Sequence, residues 1–445
     1  MRRSNSLQAQ TWRTRRVVPV SRDSCRVGGW ATILVLLLAV AGCASAPTQT
    51  ESMDYRARAE TQVEGAVRVS AVVLSPAESL ASFGVPLAKK NVQPVWLEIV
   101  NEEATELFLM LLSVDREYFT PSEVAWRFKG KEGVSFDDRI DALVDRHVSI
   151  IIPPHSTVSG YVYTNLDPGA KVFSVDLFGS GVVRSFEFAQ FVPGLEADFS
   201  RVDFDRLHAE GAANDLDLAG LRTYLEGLPC CVLGGDRKTA GDPLNLVIVG
   251  DGLTVLTAMV RRGWDLTETI RGATKWRTAF SSAFGSKYRT SPVSPLYLFD
   301  RPQDIALQKV RGNVDQRNHL RMWRAPVTVN GQMVWVGQVS RDIGVKFSSK
   351  TLVTHKVDPI IDEARLYLTL DMLSSESLKA VGYVDGVGYS GRDAPRHNYT
   401  DDPYYTDGLR VVLICGDGRY DLEDLEHLPW KRPPGRIAWD ARSQP

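Results

Sequence analysis

The N-terminus constrains this chain more than anything that follows it. Residues 1–29 carry seven arginines (Arg2, Arg3, Arg13, Arg15, Arg16, Arg22 and Arg26) against one acid, Asp23. An unbroken apolar run, WATILVLLLAV, fills residues 30–40, and Ala41-Gly42 then lead to Cys43. A positive region, a short apolar core and an exit of small residues are the parts of a secretory signal. The run holds 11 residues, whereas a bilayer-spanning helix needs roughly 20. It reads as a signal core, and the chain after residue 43 is expected to fold outside the cytoplasm.

Val40-Ala41-Gly42-Cys43 further resembles the lipoprotein signal motif. There the Cys thiol is acylated, palmitate being one of the chains, and becomes the new N-terminus. Small residues at 41 and 42 let the chain enter a peptidase groove. Several acyl chains make such an anchor stable, since one alone holds only marginally. Ala44 stands where an inner-membrane retention signal would place Asp, which favours an outer-membrane lipoprotein, periplasmic or surface-facing. An ordinary cleaved signal with Cys43 incidental is the alternative. The expected boundaries are a signal over 1–43 and a polar tether over 44–64, which lacks any apolar period.

About 400 residues remain, enough for two or three domains. The sequence is 44% hydrophobic and 24% charged, with a net charge of −2. That is a globular composition with no excess of positive charge to attract nucleic acid. Locally the balance shifts: residues 261–324 hold 13 Lys/Arg against 5 Asp/Glu, and residues 357–426 hold 15 acids against 6 bases. These stretches either neutralise each other or present a basic face to anionic headgroups. Outside the signal, Cys230, Cys231 and Cys415 are disulfide candidates: the adjacent pair closing a ring, or one of them reaching Cys415.

Alternating apolar residues mark strands at 67–73, 95–99, 107–114, 148–152, 159–164, 172–178 and 183–191. Pro153-Pro154, Asp167-Pro168-Gly169 and Gly179-Ser180-Gly181 turn the chain between them. This spacing predicts a β-sandwich over 65–192, with one helix near 121–128. Residues 193–227 read as a helical connector, with the helix at 216–225. From Asp242 the pattern becomes strand 244–249, helix 252–262 and strands near 295–299, 305–309, 319–329 and 334–340. Asn330-Gly331 joins the last two as a hairpin. A helix follows from Asp358-Pro359 to about 375, then strands at 379–384 and 409–415. The fold class expected is therefore α+β, an N-terminal sandwich followed by an α+β domain over 228–390 that is ferredoxin-like in topology. Residues 391–445 read as an acidic, then Pro-rich, tail.

Several segments resemble the LssY C-terminal domain family: Leu228-Pro-Cys-Cys231, Asp242-Pro-Leu-Asn-Leu-Val-Ile-Val-Gly250, Gly263-Trp264, Ser294-Pro-Leu-Tyr-Leu-Phe299 and Arg301-Pro-Gln-Asp304. His319-Leu-Arg-Met-Trp-Arg324, Val334-Trp-Val-Gly337, Asp342-Ile-Gly344 and Thr354-His-Lys-Val-Asp-Pro359 complete the set. The resemblance covers roughly 228–388 and implies an envelope-associated protein with a link to secretion, without an established reaction. Some relatives join this domain to a membrane-embedded lipid phosphatase. Nothing in this chain resembles that phosphatase, so its activity is not carried over.

His319, Asp342, His355 and Asp358, with Asp362 nearby, form the best candidate constellation. His and carboxylate are ligands for a divalent metal such as Zn, Mn or Fe, and an open coordination position would activate water. Arg321 and Arg324 are candidate anion-binding residues. The competing reading makes Asp358 the N-cap before Pro359 and sets Asp362 at the positive end of the helix dipole. Gly386-Val-Gly-Tyr-Ser-Gly391 matches G-x-G-x-x-G, but Arg392-Asp-Ala-Pro395 follows where a dinucleotide site needs a helix. Two functions are thus expected in competition: a lipid-anchored envelope protein that binds or scaffolds an envelope protein partner, and a metal-dependent hydrolase or phosphoesterase acting on envelope lipid or a phosphorylated substrate. A third, a thiol redox protein using Cys230-Cys231, is set aside because adjacent cysteines lack the two-residue spacer of that motif.

Overall fold

The alternation of Val67, Val69, Ala71 and Val73 begins a series of strands whose inward side chains meet in one core. This computed structural model describes residues 54–130, 135–198, 202, 207, 213–269, 289–311, 317–348 and 352–435, with side chains left out at 345–348 and 352–355. The expected export signal over 1–43, with Cys43, lies outside the described residues.

Eight strands come first: β1 (Glu60–Glu64), β2 (Val67–Val73), β3 (Val92–Asn101), β4 (Leu107–Met110), β5 (Ile151–Ile152), β6 (Ser156–Asn165), β7 (Ala170–Gly179) and β8 (Val182–Phe191). They form two antiparallel four-stranded sheets, ordered β1-β2-β3-β6 and β5-β4-β7-β8. Val69, Leu97 and Ile99 from the first sheet share a core with Leu109, Val175 and Phe186 from the second. The other face of the first sheet is covered too. Three short helices, α1 (Pro76–Phe83), α2 (Pro121–Trp126) and α3 (Phe136–Val144), bury Trp96, Tyr161 and Tyr163 against Val124 and Phe128. Only α2 was expected from the sequence. The signals for the others were local: Ser75 caps α1 in a capping box with Glu78, and Ser135 caps α3.

Two expectations change here. Residues 54–64 are not tether. Glu60–Glu64 pairs with β2 as an edge strand, and its polar sequence reflects exposure, with Arg58 anchored on Glu78 at 2.7 Å. The strand expected over 107–114 stops at Met110, because Ser113 Oγ bonds back to the Met110 carbonyl at 2.7 Å and Leu111–Val114 coils into one helical turn.

The second half holds β9 (Asn214–Leu216), α4 (Leu218–Gly227), β10 (Cys231–Leu233), β11 (Ala240–Pro243), β12 (Leu246–Val249), α5 (Gly252–Arg261) and β13 (Asp265–Leu266). Then follow β14 (Tyr297–Leu298), β15 (Arg301–Pro302), β16 (Ile305–Val310), β17 (Arg317–Val329), β18 (Gln332–Ser348), β19 (Leu352–Val357) and α6 (Ile361–Leu373). The last strands are β20 (Leu378–Val384), β21 (Arg396–His397), β22 (Pro403–Tyr404), β23 (Arg410–Cys415) and β24 (Glu426–His427). The main sheet runs β13-β16-β17-β18-β12-β23-β20-β24, with β9 on β17 and β19 on β18. Its central pair β12–β23 is parallel, while β12–β18 and β20–β23 are antiparallel. The class is α+β, as expected.

Leu246, Leu320, Met322 and Trp335 pack one face of this sheet on Met259 of α5 and Leu368 of α6. Val247, Trp323, Val336 and Val412 pack the other on Leu221 and Leu225 of α4. The hairpin forms at the expected place, with both Asn330 (φ 48°) and Gly331 (φ 78°) left-handed, the pairing a tight two-residue turn requires.

The C-terminal stretch expected as a tail from 391 supplies β21 to β24; the strand expected over 409–415 is β23, which lies wholly inside the sheet. Its apolar run Val411–Leu413 is fully buried, as a strand with neighbours on both sides must be. The long helix starts at Ile361 and not beside Asp358. The backbone before it is engaged elsewhere: Asp358 N donates to Arg341 O at 2.8 Å, and Tyr405 N to Pro359 O at 2.6 Å.

The described residues from 54 onward pack as one unit. Arg289 joins its halves, giving Nη2 to Asp167 Oδ1 at 2.9 Å and to Asp265 Oδ1 at 2.6 Å, and Nη1 to the Leu166 carbonyl at 2.9 Å. Glu187 of β8 takes Arg261 of α5 at 2.8 Å and also Arg419. The basic and acidic stretches do meet: Asp371 accepts Arg262 at 3.1 Å and Lys309 at 2.7 Å. Among the described residues, no helix is long and apolar enough to cross a membrane.

Candidate functional site

Strand β17 alternates Arg317, His319, Arg321 and Trp323 on a single face. Trp323 enters the apolar cluster under α4, and the three residues before it continue that face as a buried polar patch, 2%, 5% and 7% exposed. The register brings Gln308 and Ser340 beside His319, and Gln338 beside Arg321. His319 Nε2 bonds to Asp342 Oδ2. Arg317 Nε lies 3.5 Å from the same oxygen, and Arg317 Nη1 donates to Gln308 Oε1 at 2.6 Å. Arg321 gives Nη1 to Gln338 Oε1 at 3.0 Å and Nε to the Ser294 carbonyl at 3.1 Å. Gln308 Nε2 then donates to the Arg289 carbonyl at 2.5 Å, so the patch connects to the ion pairs that join the two halves.

Charge is balanced inside this patch. Burial, with Arg317 and Arg321 beside it, holds the His319 imidazole well below its ordinary pKa, so the ring is neutral. Burial also lowers the pKa of Arg321, against the opposing pull of Asp242 and Asp342. The Asp242 carboxyl is raised by burial and accepts Asn398 Nδ2 at 2.9 Å. A neutral imidazole hydrogen-bonded to a buried carboxylate can orient or relay a proton. With two guanidiniums alongside, the patch has no surplus of negative charge to hold a cation.

The structure thus brings two of the four expected metal residues together, His319 and Asp342. Asp358 is turned to another task, its Oδ1 accepting Ile360 N at 3.0 Å. It lies before the helix, so it shares no helical face with Asp362. Asp362 is itself buried, accepting Thr406 Oγ1 at 2.8 Å and Asp407 N at 2.7 Å. The His355 backbone pairs with Val345, and its side chain lies outside the described residues. Among the described residues, no group of three His, Cys, Asp or Glu is arranged to hold a metal. Arg321 and Arg324 do not form a joint anion site. They are three residues apart on a strand and point to opposite faces. Arg317, Gln308, Gln338 and Asp242 were not singled out from the sequence, although the period-two series 317, 319, 321 carried the signal for the first.

A family model for the LssY C-terminus matches residues 225–409. These residues belong to the LssY C-terminal domain family. No curated protein matches the chain. The LssY match ends at Gly408-Leu409, one residue before β23, although that strand completes the domain's central sheet.

The LssY domain also contains the Cys230–Cys231 disulfide, formed between neighbours in sequence. Cys415 is free and buried, its thiol pushed up to about 12 by burial. The disulfide loop is held by Arg410, whose fully buried guanidinium donates only to carbonyls: Leu244 at 2.8 Å, Leu228 at 3.2 Å, Pro229 at 2.5 Å, Gly386 at 3.1 Å, and Leu225. Gly386 has φ 135°, and a Cβ there would meet Arg410 Nη1 at 2.5 Å. The first glycine of the G-x-G-x-x-G match therefore serves a close approach by an arginine, not a phosphate.

Proposed function

We propose that this chain is a lipid-anchored bacterial envelope protein, held by acylated Cys43 at the outer membrane, whose folded part binds or scaffolds an envelope protein partner. We read its first two sheets as a β-sandwich, and the LssY domain as a ferredoxin-like core widened by insertion of β23 beside β12. The observation that carries the binding reading is the charge-compensated burial of the His319–Asp342–Arg321 patch. His319 and Asp342 bond to each other and Arg321 to Gln338 and the Ser294 carbonyl, all inside a sheet, which suits a structural keystone better than a centre that must admit substrate. The sequence over 30–43 and the family membership support the envelope address.

The test is metabolic labelling of the full chain with an alkynyl palmitate in a Gram-negative host. Label on the wild type, absent from Cys43→Ala, together with release of that variant from membranes, is the expected result. Equal labelling, or none on either, overturns the anchor. Photo-crosslinking from surface positions in the same cells should give a discrete heteromeric adduct, and purely monomeric protein would remove the scaffold reading.

The hydrolase reading has one observation in its favour, the His319–Asp342 contact. It requires His355 to complete the ligand set, and about one equivalent of Zn, Mn or Fe in purified protein that disappears in the His319→Ala/His355→Ala variant.

A further inference from the structure

Beside the disulfide a shallow, open depression of about 670 Å³ faces solvent, lined by Cys230, Cys231, Gly388, Arg396, His397 and Tyr404. That is room enough for a small peptide-sized molecule. Cys230 is part-exposed on its wall, while Cys231 is only 7% exposed, with its Sγ 3.8 Å from the Tyr404 hydroxyl. Arg396 is exposed along the same wall, where it gives Nη1 to the Val387 carbonyl at 2.9 Å. Thiol–disulfide exchange has three requirements: an accessible sulfur, an approach that favours the anionic thiolate, and stabilisation of the departing sulfur. Cys230, Arg396 and Tyr404 supply them in that order.

We propose that Cys230–Cys231 is a thiol–disulfide exchange site for a small anionic thiol of the glutathione type. The incoming thiolate attacks Cys230 Sγ. The bond from that sulfur to Cys231 breaks, and Cys231 leaves as a thiolate that accepts a hydrogen bond from the Tyr404 hydroxyl. The product is a mixed disulfide on Cys230. A second small thiolate attacks the small-thiol sulfur of that adduct, releasing the small disulfide and the Cys230 thiolate. Two protons from solvent then complete the dithiol, so the protein pair is reduced as two small thiols are oxidised. The loop stays positioned throughout, because Arg410 grips the Pro229 carbonyl and Leu244 N holds the Cys230 carbonyl at 2.8 Å. The Cys231 thiolate therefore remains within reach to reclose the ring. This site does not depend on the lipid anchor or on the His319 patch.

The test uses the full chain in detergent. It is treated with reduced glutathione, quenched with iodoacetamide, and read by peptide mass spectrometry alongside near-UV circular dichroism. Alkylated Cys230 and Cys231 in folded protein, with Cys415 untouched, is expected. The Cys231→Ser variant given oxidised glutathione should hold a stable adduct on Cys230, which Cys230→Ser should not form on Cys231. Tyr404→Phe should slow opening by about fivefold, the worth of one hydrogen bond. Labelling of the pair only after denaturation, or equal adducts on both single-cysteine variants, overturns the proposal. An unchanged rate in Tyr404→Phe removes the leaving-group role.

Discussion

Protonating His319 would set a third cation beside Arg317 and Arg321 in a region where none of the three is more than 7% exposed. An unfolded histidine takes up its proton near pH 6.5, whereas the folded ring, its pKa well depressed, refuses it. Below that pH the unfolded state binds more protons, so stability present above pH 6.5 is lost as the pH falls. The carboxyls of Asp242, Asp265 and Asp362, raised by burial, act with the opposite sign. A comparison with a variant is therefore needed to isolate the histidine. Between pH 6.5 and 5.5 the wild type should lose roughly 1 kcal/mol more than His319→Gln in urea unfolding. Parallel pH profiles would mean that the ring titrates normally. Arg410 shows a different way to bury charge. With carbonyls alone as partners, burial brings its pKa down to about 10, which leaves it protonated at any physiological pH.

Among the elements, β23 has the most consequence for its length. It pairs in parallel with β12 through Leu246↔Val411 and antiparallel with β20 through Val384↔Arg410. A chain ending at residue 409, where the family match stops, loses the middle of the sheet and the Arg410 grip together. It should be degraded rapidly by limited proteolysis, while a chain ending at 435 should resist like the parent. A protease-resistant 409 product would show that the sheet closes without β23. The elements that the sequence announced were those whose signal was local. The Asn330-Gly331 hairpin and the Asp251-capped helix Gly252–Arg261 formed as expected. Period two in residues 172–178 and 183–191 was equally legible, because it reports one buried face. Apart from the helices Pro76–Phe83 and Phe136–Val144, whose local Ser75 and Ser135 caps went unread, what was missed needed partners distant in sequence. Asp358 looked like a helix cap until Arg341 and Tyr405 were seen to hold the backbone around it. The strand over 409–415 was legible from its apolar run, but nothing local reveals that it slots between β12 and β20. The candidate site divided in the same manner: 317, 319 and 321 share a face by arithmetic, but Asp242 reaches it only through the fold.

At the scale of the molecule, charged side chains join the two halves beside the packing of Ala170 against the core of the second, and Arg289 links to both. Its partners Asp167 and Asp265 come from different halves, and Gln308 ties its carbonyl to the His319 patch. The residues from 54 onward should therefore unfold in one transition. A double-mutant cycle on Arg289→Ala and Asp167→Ala should give a coupling of about 0.5–1 kcal/mol, modest because both side chains keep some contact with water. Two separate calorimetric transitions would show that the halves melt independently.

The position of β12 also sets a timetable for assembly. Strand Leu246–Val249 is made early, but its parallel neighbour Arg410–Cys415 comes from the far end of the LssY domain. Contacts between such distant segments form slowly, because the intervening chain must first be drawn in at an entropic cost. Until synthesis has delivered β23, β12 has no neighbour on that side, and its apolar edge stays open. Such an edge is a template for wrong pairing. Shielding that edge during the interval should therefore raise the folded yield, which co-expression with a holdase would measure.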